Sequence, residues 1–121
     1  MLELNTKINL NYKGISYTLE YNRMAIKMIE NDGFSLESFS SQPMTMIDLA
    51  FKGAFYKNHR KVQNTLMEEI YDHCPDKEKL IESLTAMIAE CYNSLTKDPS
   101  EDNEGNATWE VVDLTPKANQ K

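Results

Sequence analysis

What the chain has little of narrows its chemistry first. Only two cysteines are present, Cys74 and Cys91, and they form no C-x-x-C pair. That usage fits a reducing compartment and supplies no disulfide framework. Both fall on apolar helical stripes and read as buried free thiols, with a Cys74–Cys91 bridge left open by the sequence. The two histidines, His59 and His73, are fourteen positions apart, so no H-x-x-x-H metal pair exists. The four glycines, Gly14, Gly33, Gly53 and Gly105, stand singly, which excludes a Gly-rich phosphate cradle. No G-x-S-x-G elbow presents a serine nucleophile. Nothing approaches the ~18 consecutive apolar residues of a membrane span. Lys7, Asn9, Asn11 and Lys13 interrupt the start where a secretory apolar core would lie. The expectation is a cytoplasmic protein with no catalytic residue, no cofactor, no metal and no membrane contact.

Positive charge is also scarce. Thirteen Lys and Arg face nineteen Asp and Glu, for a net charge of −6 and a pI near 4.9. Such a balance repels phosphate backbones and argues against nucleic acid as a partner. The one basic cluster, Lys52, Lys57, His59, Arg60 and Lys61, reads as a solvated helix end. A length of 121 residues suits one domain. The 40% hydrophobic share lies below the usual ~45–50%, so part of the chain is expected outside the core.

What is there begins with period two. Leu2, Leu4, Ile8, Leu10 and Tyr12 alternate with polar residues, Thr6 being the exception, and Ile15, Tyr17, Leu19 and Tyr21 alternate again after Lys13-Gly14. This is a β-hairpin, turned either tightly at Lys13-Gly14 or through an Asn11–Gly14 turn with a bulge. The period then changes. Asn22 is placed to cap a helix through Met24, Ala25, Met28 and Ile29, which Asn31-Asp32-Gly33 ends, with Phe34 folding back. Leu36 and Phe39 fit one short helical turn. Pro43 suits a first helical position before the stripe Met44, Ile47, Phe51, Ala54 and Phe55. Gly53 inside that stripe reads as a close helix crossing before it reads as a hinge. Val62, Leu66, Ile70 and Cys74 recur every four residues, with Met67 and Tyr71 widening the face. Pro75 stops that helix and Asp76 is placed to cap the next, lined by Leu80, Leu84, Met87, Ile88, Cys91 and Leu95.

After Thr96 the character changes. Residues 97–121 carry six acids against three lysines, and 97–108 are too polar to bury. The only tryptophan, Trp109, opens a short apolar run that could add a strand to a hairpin edge. The expected fold is therefore α+β: an N-terminal β-hairpin packed on a bundle of four to five α-helices over residues 1–96, then a disordered acidic C-terminal tail over 97–121.

Seven methionines are many for this length, and methionine adapts to varied partners. Met44 and Met46 cannot both face one core from one helix, so one of them is a candidate contact. The candidate protein-binding residues are Met44, Met46, Phe51, Phe55, Tyr56 and Trp109. The partner they suit is an apolar helical segment of another chain, with self-association.

The start Ile15-Ser-Tyr-Thr-Leu-Glu-Tyr-Asn-Arg23, the helix ending in Asn31-Asp-Gly-Phe34, the apolar helical stretches and the acidic tail together resemble a known family. It is the tail assembly chaperones of long-tailed phages and prophages of Gram-positive bacteria. The resemblance spans residues 8–96 and rests on structural positions. It implies a non-catalytic protein of the host cytoplasm that is absent from the mature virion. It implies the tape measure protein as partner, the tail tube protein as a further one, and a homo-oligomer. It also implies a longer form made by ribosomal frameshifting, in which the tail from Lys97 is read differently. From other classes, the same residues fit a regulatory or anti-host protein docking one folded target, or a structural tail or connector subunit.

Overall fold

Polar–apolar alternation produces the first two elements. In the computed structural model, which describes residues 6–99 and 105–113, β1 (Ile8–Tyr12) pairs antiparallel with β2 (Ile15–Leu19). Tyr12 lies opposite Ile15, so the loop is the two residues Lys13 and Gly14, with φ of 52° and 82°. Two consecutive positive φ values mark the primed turn whose twist matches that of the strands. Of the two turns open to the sequence, the tight one forms. Leu2 and Leu4, expected in the first strand, lie outside the described residues. Ile8, Leu10 and Tyr12 are half-buried and Tyr17 and Leu19 buried, as the alternation requires. Ile15 departs from its row because it sits at the hairpin tip with Lys13, Gly14 and Ser16, all exposed.

The first helix, α1 (Arg23–Asn31), starts at Asn22, whose Oδ1 accepts the Ala25 N–H at 2.8 Å. It ends in a Schellman motif: Phe34 N–H donates to the Ile29 carbonyl at 2.9 Å and Gly33 N–H to that of Glu30 at 3.0 Å. Gly33 supplies the left-handed φ of 108°. Ile29 and Phe34, the two residues the motif brings together, are both buried. A short 3-10 turn (Leu36–Phe39) then sets Phe39 edge-on against Phe34.

Next come α2 (Pro43–Gly53), α3 (Asn64–Asp72) and α4 (Lys77–Asn93). The central element is α2, which touches α1, the 3-10 turn, α3 and α4. One apolar cluster runs from Tyr17 through Ile29, Met46, Phe51 and Phe55 to Ile70, Leu84 and Cys91. Tyr21 reaches into it and donates to the Ala50 carbonyl at 2.6 Å, and burial pushes its phenol pKa up. Gly53 marks a close helix crossing: a Cβ there would lie 2.6 Å from Ile29 Cγ2 on α1.

Two further expectations meet the structure here. Asp76 precedes α4 but does not cap it, because its backbone is left-handed (φ 53°) and its side chain makes no capping bond. A cap presents its oxygen from extended backbone, which Asp76 lacks. Lys77 instead donates to the Asp72 and Cys74 carbonyls at 3.2 and 2.8 Å, closing the end of α3. Cys74 and Cys91 are both free thiols, and burial pushes both pKa values up, so each stays protonated and weakly nucleophilic. Of the acidic tail, residues 105–113 carry no helix or strand, and the disorder expected over 100–104 and 114–121 falls outside the described residues. No described helix is long and apolar enough to cross a membrane.

Candidate protein-binding groove

Helical spacing builds a groove between α2 and α3. Met44, Ile47, Asp48, Phe51 and Lys52 recur at three- and four-residue steps along α2. Met67, Glu68, Tyr71 and Asp72 do the same along α3. Such rows lie along one face of each helix, so two adjacent rows enclose a channel. Its volume is about 280 Å³. Phe51 and Tyr71 meet edge-to-face across the bottom, with centroids 5.2 Å apart, and Met67 is buried beside them. At one end Met44 stands 86% exposed, a flexible thioether in the open first turn of α2 beside exposed Pro43 and Thr45.

The rim is acidic. Lys52 bonds Asp48 at 3.2 Å and Glu68 at 2.8 Å, and so links the two helices. Burial alone pulls the Lys52 pKa down, but the hydrogen bonds to Glu68 and Asp48 outweigh it and hold the ammonium above its ordinary value. Asp48 and Glu68 hold that cation, and a third carboxylate, Asp72, lines the same groove. The groove thus offers apolar contact area under a negative field. It suits an apolar helix face flanked by lysine or arginine.

The six candidate residues do not converge. Met44 and Phe51 belong to this groove, Phe51 as floor and not as open surface. Met46 is corrected: it is 1% exposed and takes a hydrogen bond from Ser35 N–H on its sulfur at 3.4 Å. It lies two positions from Met44, about 200° around the helix, so one faces the core and the other faces out. Phe55 is corrected likewise, since it is buried against Tyr17 and Phe51. Tyr56 is half-buried elsewhere, with the Arg60 guanidinium 4.7 Å above its ring. Trp109 stands exposed in the C-terminal stretch. Ile47, Met67 and Tyr71 complete the groove without having been singled out. Their i, i+4 rows were visible, but which two rows become neighbours depends on how α2 and α3 pack.

Within the basic cluster Lys61 is exposed, while the other four side chains are engaged, Lys52 as above. Lys57 pairs with Glu20 at 3.0 Å, Arg60 covers Tyr56, and His59 Nε2 accepts the Thr18 N–H at 2.9 Å. His73 Nδ1 donates to the Glu69 carbonyl, one turn back on its own helix, at 2.9 Å. Among the described residues, no three His, Cys, Asp or Glu side chains gather where they could hold a metal ion.

The hairpin, the four helices and the groove define a small α+β domain that presents an apolar channel to its surroundings. The chain belongs to the family described as a domain of unknown function (DUF5055), whose model matches residues 3–112. The match runs past the end of α4 and takes in Trp109, Val111 and Val112. No curated protein and no solved structure matches the chain.

Proposed function

We propose that this protein is a non-catalytic tail assembly chaperone that holds apolar helical segments of a phage tape measure protein in the host cytoplasm. The observation that carries the reading is the α2–α3 groove, with exposed Met44 over a floor of Phe51, Met67 and Tyr71. A chaperone for a long repetitive chain must accept many similar segments. Methionine provides adaptable contact, and the acidic rim favours segments with basic flanks. The net charge of −6 keeps the unloaded protein dispersed. The family resemblance in the hairpin and first helix points the same way.

The test is co-expression with tape measure fragments, followed by sedimentation of the soluble fraction. Fragments kept soluble in a stoichiometric complex are the expected result. Fragments that stay insoluble beside abundant soluble protein would end the proposal. Met44→Asp is expected to weaken the complex about tenfold or more, since burying a methionine side chain is worth ~1.5–3 kcal/mol.

A further inference from the structure

The methionines share one thioether chemistry, and packing makes their sulfurs unequal. A thioether has no proton to lose, so its reaction with a peroxide depends on access from water. Among the described residues, Met46, Met67 and Met87 are buried and Met28 is half-buried. Met44 and Met24 stand 86% and 54% exposed. The two cysteines compete poorly for an oxidant. Cys91 is buried and Cys74 half-buried, and burial pushes both pKa values up, which leaves protonated, slow thiols. A peroxide therefore meets Met44 and Met24 first.

The two exposed methionines differ in what lies around them. Met24 sits in the first turn of α1, which contributes nothing to the α2–α3 groove. Met44 lines one end of that groove. Of the residues lining it only Lys52 is cationic, and Asp48 and Glu68 hold its ammonium. An oxygen added to the Met44 sulfur would bring a polar S=O dipole into an apolar contact under an acidic rim. Covering such a group with a partner costs affinity where covering the thioether gained it. The fold loses little, because Met44 belongs neither to the core nor to the side chains packed against it.

We propose that Met44 is an oxidation switch for the α2–α3 groove: a peroxide converts it to the sulfoxide, and the groove releases its apolar partner while the fold stays intact. The switch rests on the reading of that groove as the protein-binding site and adds its regulation. A lone pair on the Met44 sulfur attacks one oxygen of hydrogen peroxide. The S–O bond forms as the O–O bond breaks, and the second oxygen leaves as water with both protons. Sulfur gives up two electrons and the peroxide takes them. Methionine sulfoxide reductases reverse the change, removing the oxygen as water while two reductase thiols become a disulfide. Met24 undergoes the same chemistry away from the groove, so the chain carries its own control.

The experiment uses the full chain and, as probe, a dye-labelled synthetic amphipathic helix of leucine and lysine, which contains no methionine. Hydrogen peroxide is added in steps. Peptide mapping by mass spectrometry follows each methionine, and fluorescence anisotropy follows binding. Expected are oxidation of Met44 and Met24 ahead of Met28, Met46, Met67 and Met87, an unchanged melting temperature, and a loss of probe affinity of about tenfold that reductase treatment reverses. Met44→Leu keeps an apolar contact of similar size and cannot take up oxygen, so it should bind alike before and after peroxide. Met24→Leu should lose affinity on oxidation as the natural protein does. Oxidation of Met46 or Met67 as early as Met44 overturns the proposal, as does an affinity loss that persists in Met44→Leu. Unchanged affinity in protein whose Met44 is fully oxidised also overturns it, and leaves the chaperone reading standing because the groove still binds. Unoxidised protein that holds neither the probe nor tape measure fragments removes both.

Discussion

Met44 and Met46 sit two residues apart on α2, and one is 86% exposed while the other is 1% exposed. Both are equally apolar, and both belong to the same well-formed helix. The difference is rotation alone: two residues turn the chain about 200°, enough to exchange core for surface. Met46 fills space beneath the turn at Ser35 and contributes to stability. Met44 contributes little to stability and leaves its contact area exposed. Chemical character therefore does not assign a methionine to core or contact. Position around a packed helix does.

The sharpest way to break this comparison is to place the same charge at both positions. Met46→Asp buries a carboxylate and opens a cavity, which should cost ~4 kcal/mol or more of a total stability near 5–15 kcal/mol. Met44→Asp should change stability by no more than ~0.5 kcal/mol. Urea unfolding of the two variants side by side measures both. Equal losses would mean that α2 is rotated relative to this structure.

A smaller effect is expected about two turns beyond Met46, at the crossing of α2 and α1. Gly53→Ala gains ~1 kcal/mol of helix propensity but drives its Cβ to within 2.6 Å of Ile29 Cγ2. Overpacking of this kind costs ~1–3 kcal/mol, so the net change is a modest loss. Adding Ile29→Ala should recover part of the loss from Gly53→Ala in a double-mutant cycle. Strict additivity would show that the two helices do not press together there.

The smallest effect concerns pH and the ties between β2 and the segment after α2. Glu20 accepts from Asn58 Nδ2 at 2.9 Å and Lys57 Nζ at 3.0 Å. The Asn58 hydrogen bond, with further help from Lys57, holds the Glu20 pKa below its ordinary value despite some burial. A carboxyl depressed in the folded state stabilises above its unfolded pKa of ~4.3, and that contribution is lost as pH falls through the lower folded value. Melting temperature should therefore fall more steeply below about pH 5 in the natural protein than in Glu20→Gln. Parallel acid limbs would remove Glu20 from the account.

Much of the fold was legible in the chain because its signals are local. Asn22 capping, the Gly33-Phe34 motif, Pro43 at the helix start and the Lys13-Gly14 turn each depend on a few neighbouring residues. Where a local signal competed with chain geometry it failed. Asp76 has the composition of a cap, yet the corner between α3 and α4 holds it left-handed. The candidate contact residues were legible as a set of large apolar side chains but not as a site. Phe51 and Phe55 share a helical stripe with Met44, and the core took both.

The hairpin, the order of helices and the apolar rows they carry follow from the chain alone, since periodicity and capping act over a few residues; which of the two possible turns closes the hairpin does not. Only the tertiary structure decided which rows were spent on the core. Setting α2 at the centre buried Met46, Phe51 and Phe55, left Met44 outside, and covered the β2 edge while leaving β1 open. Those outcomes depend on contacts between residues far apart in the chain, which no local pattern records.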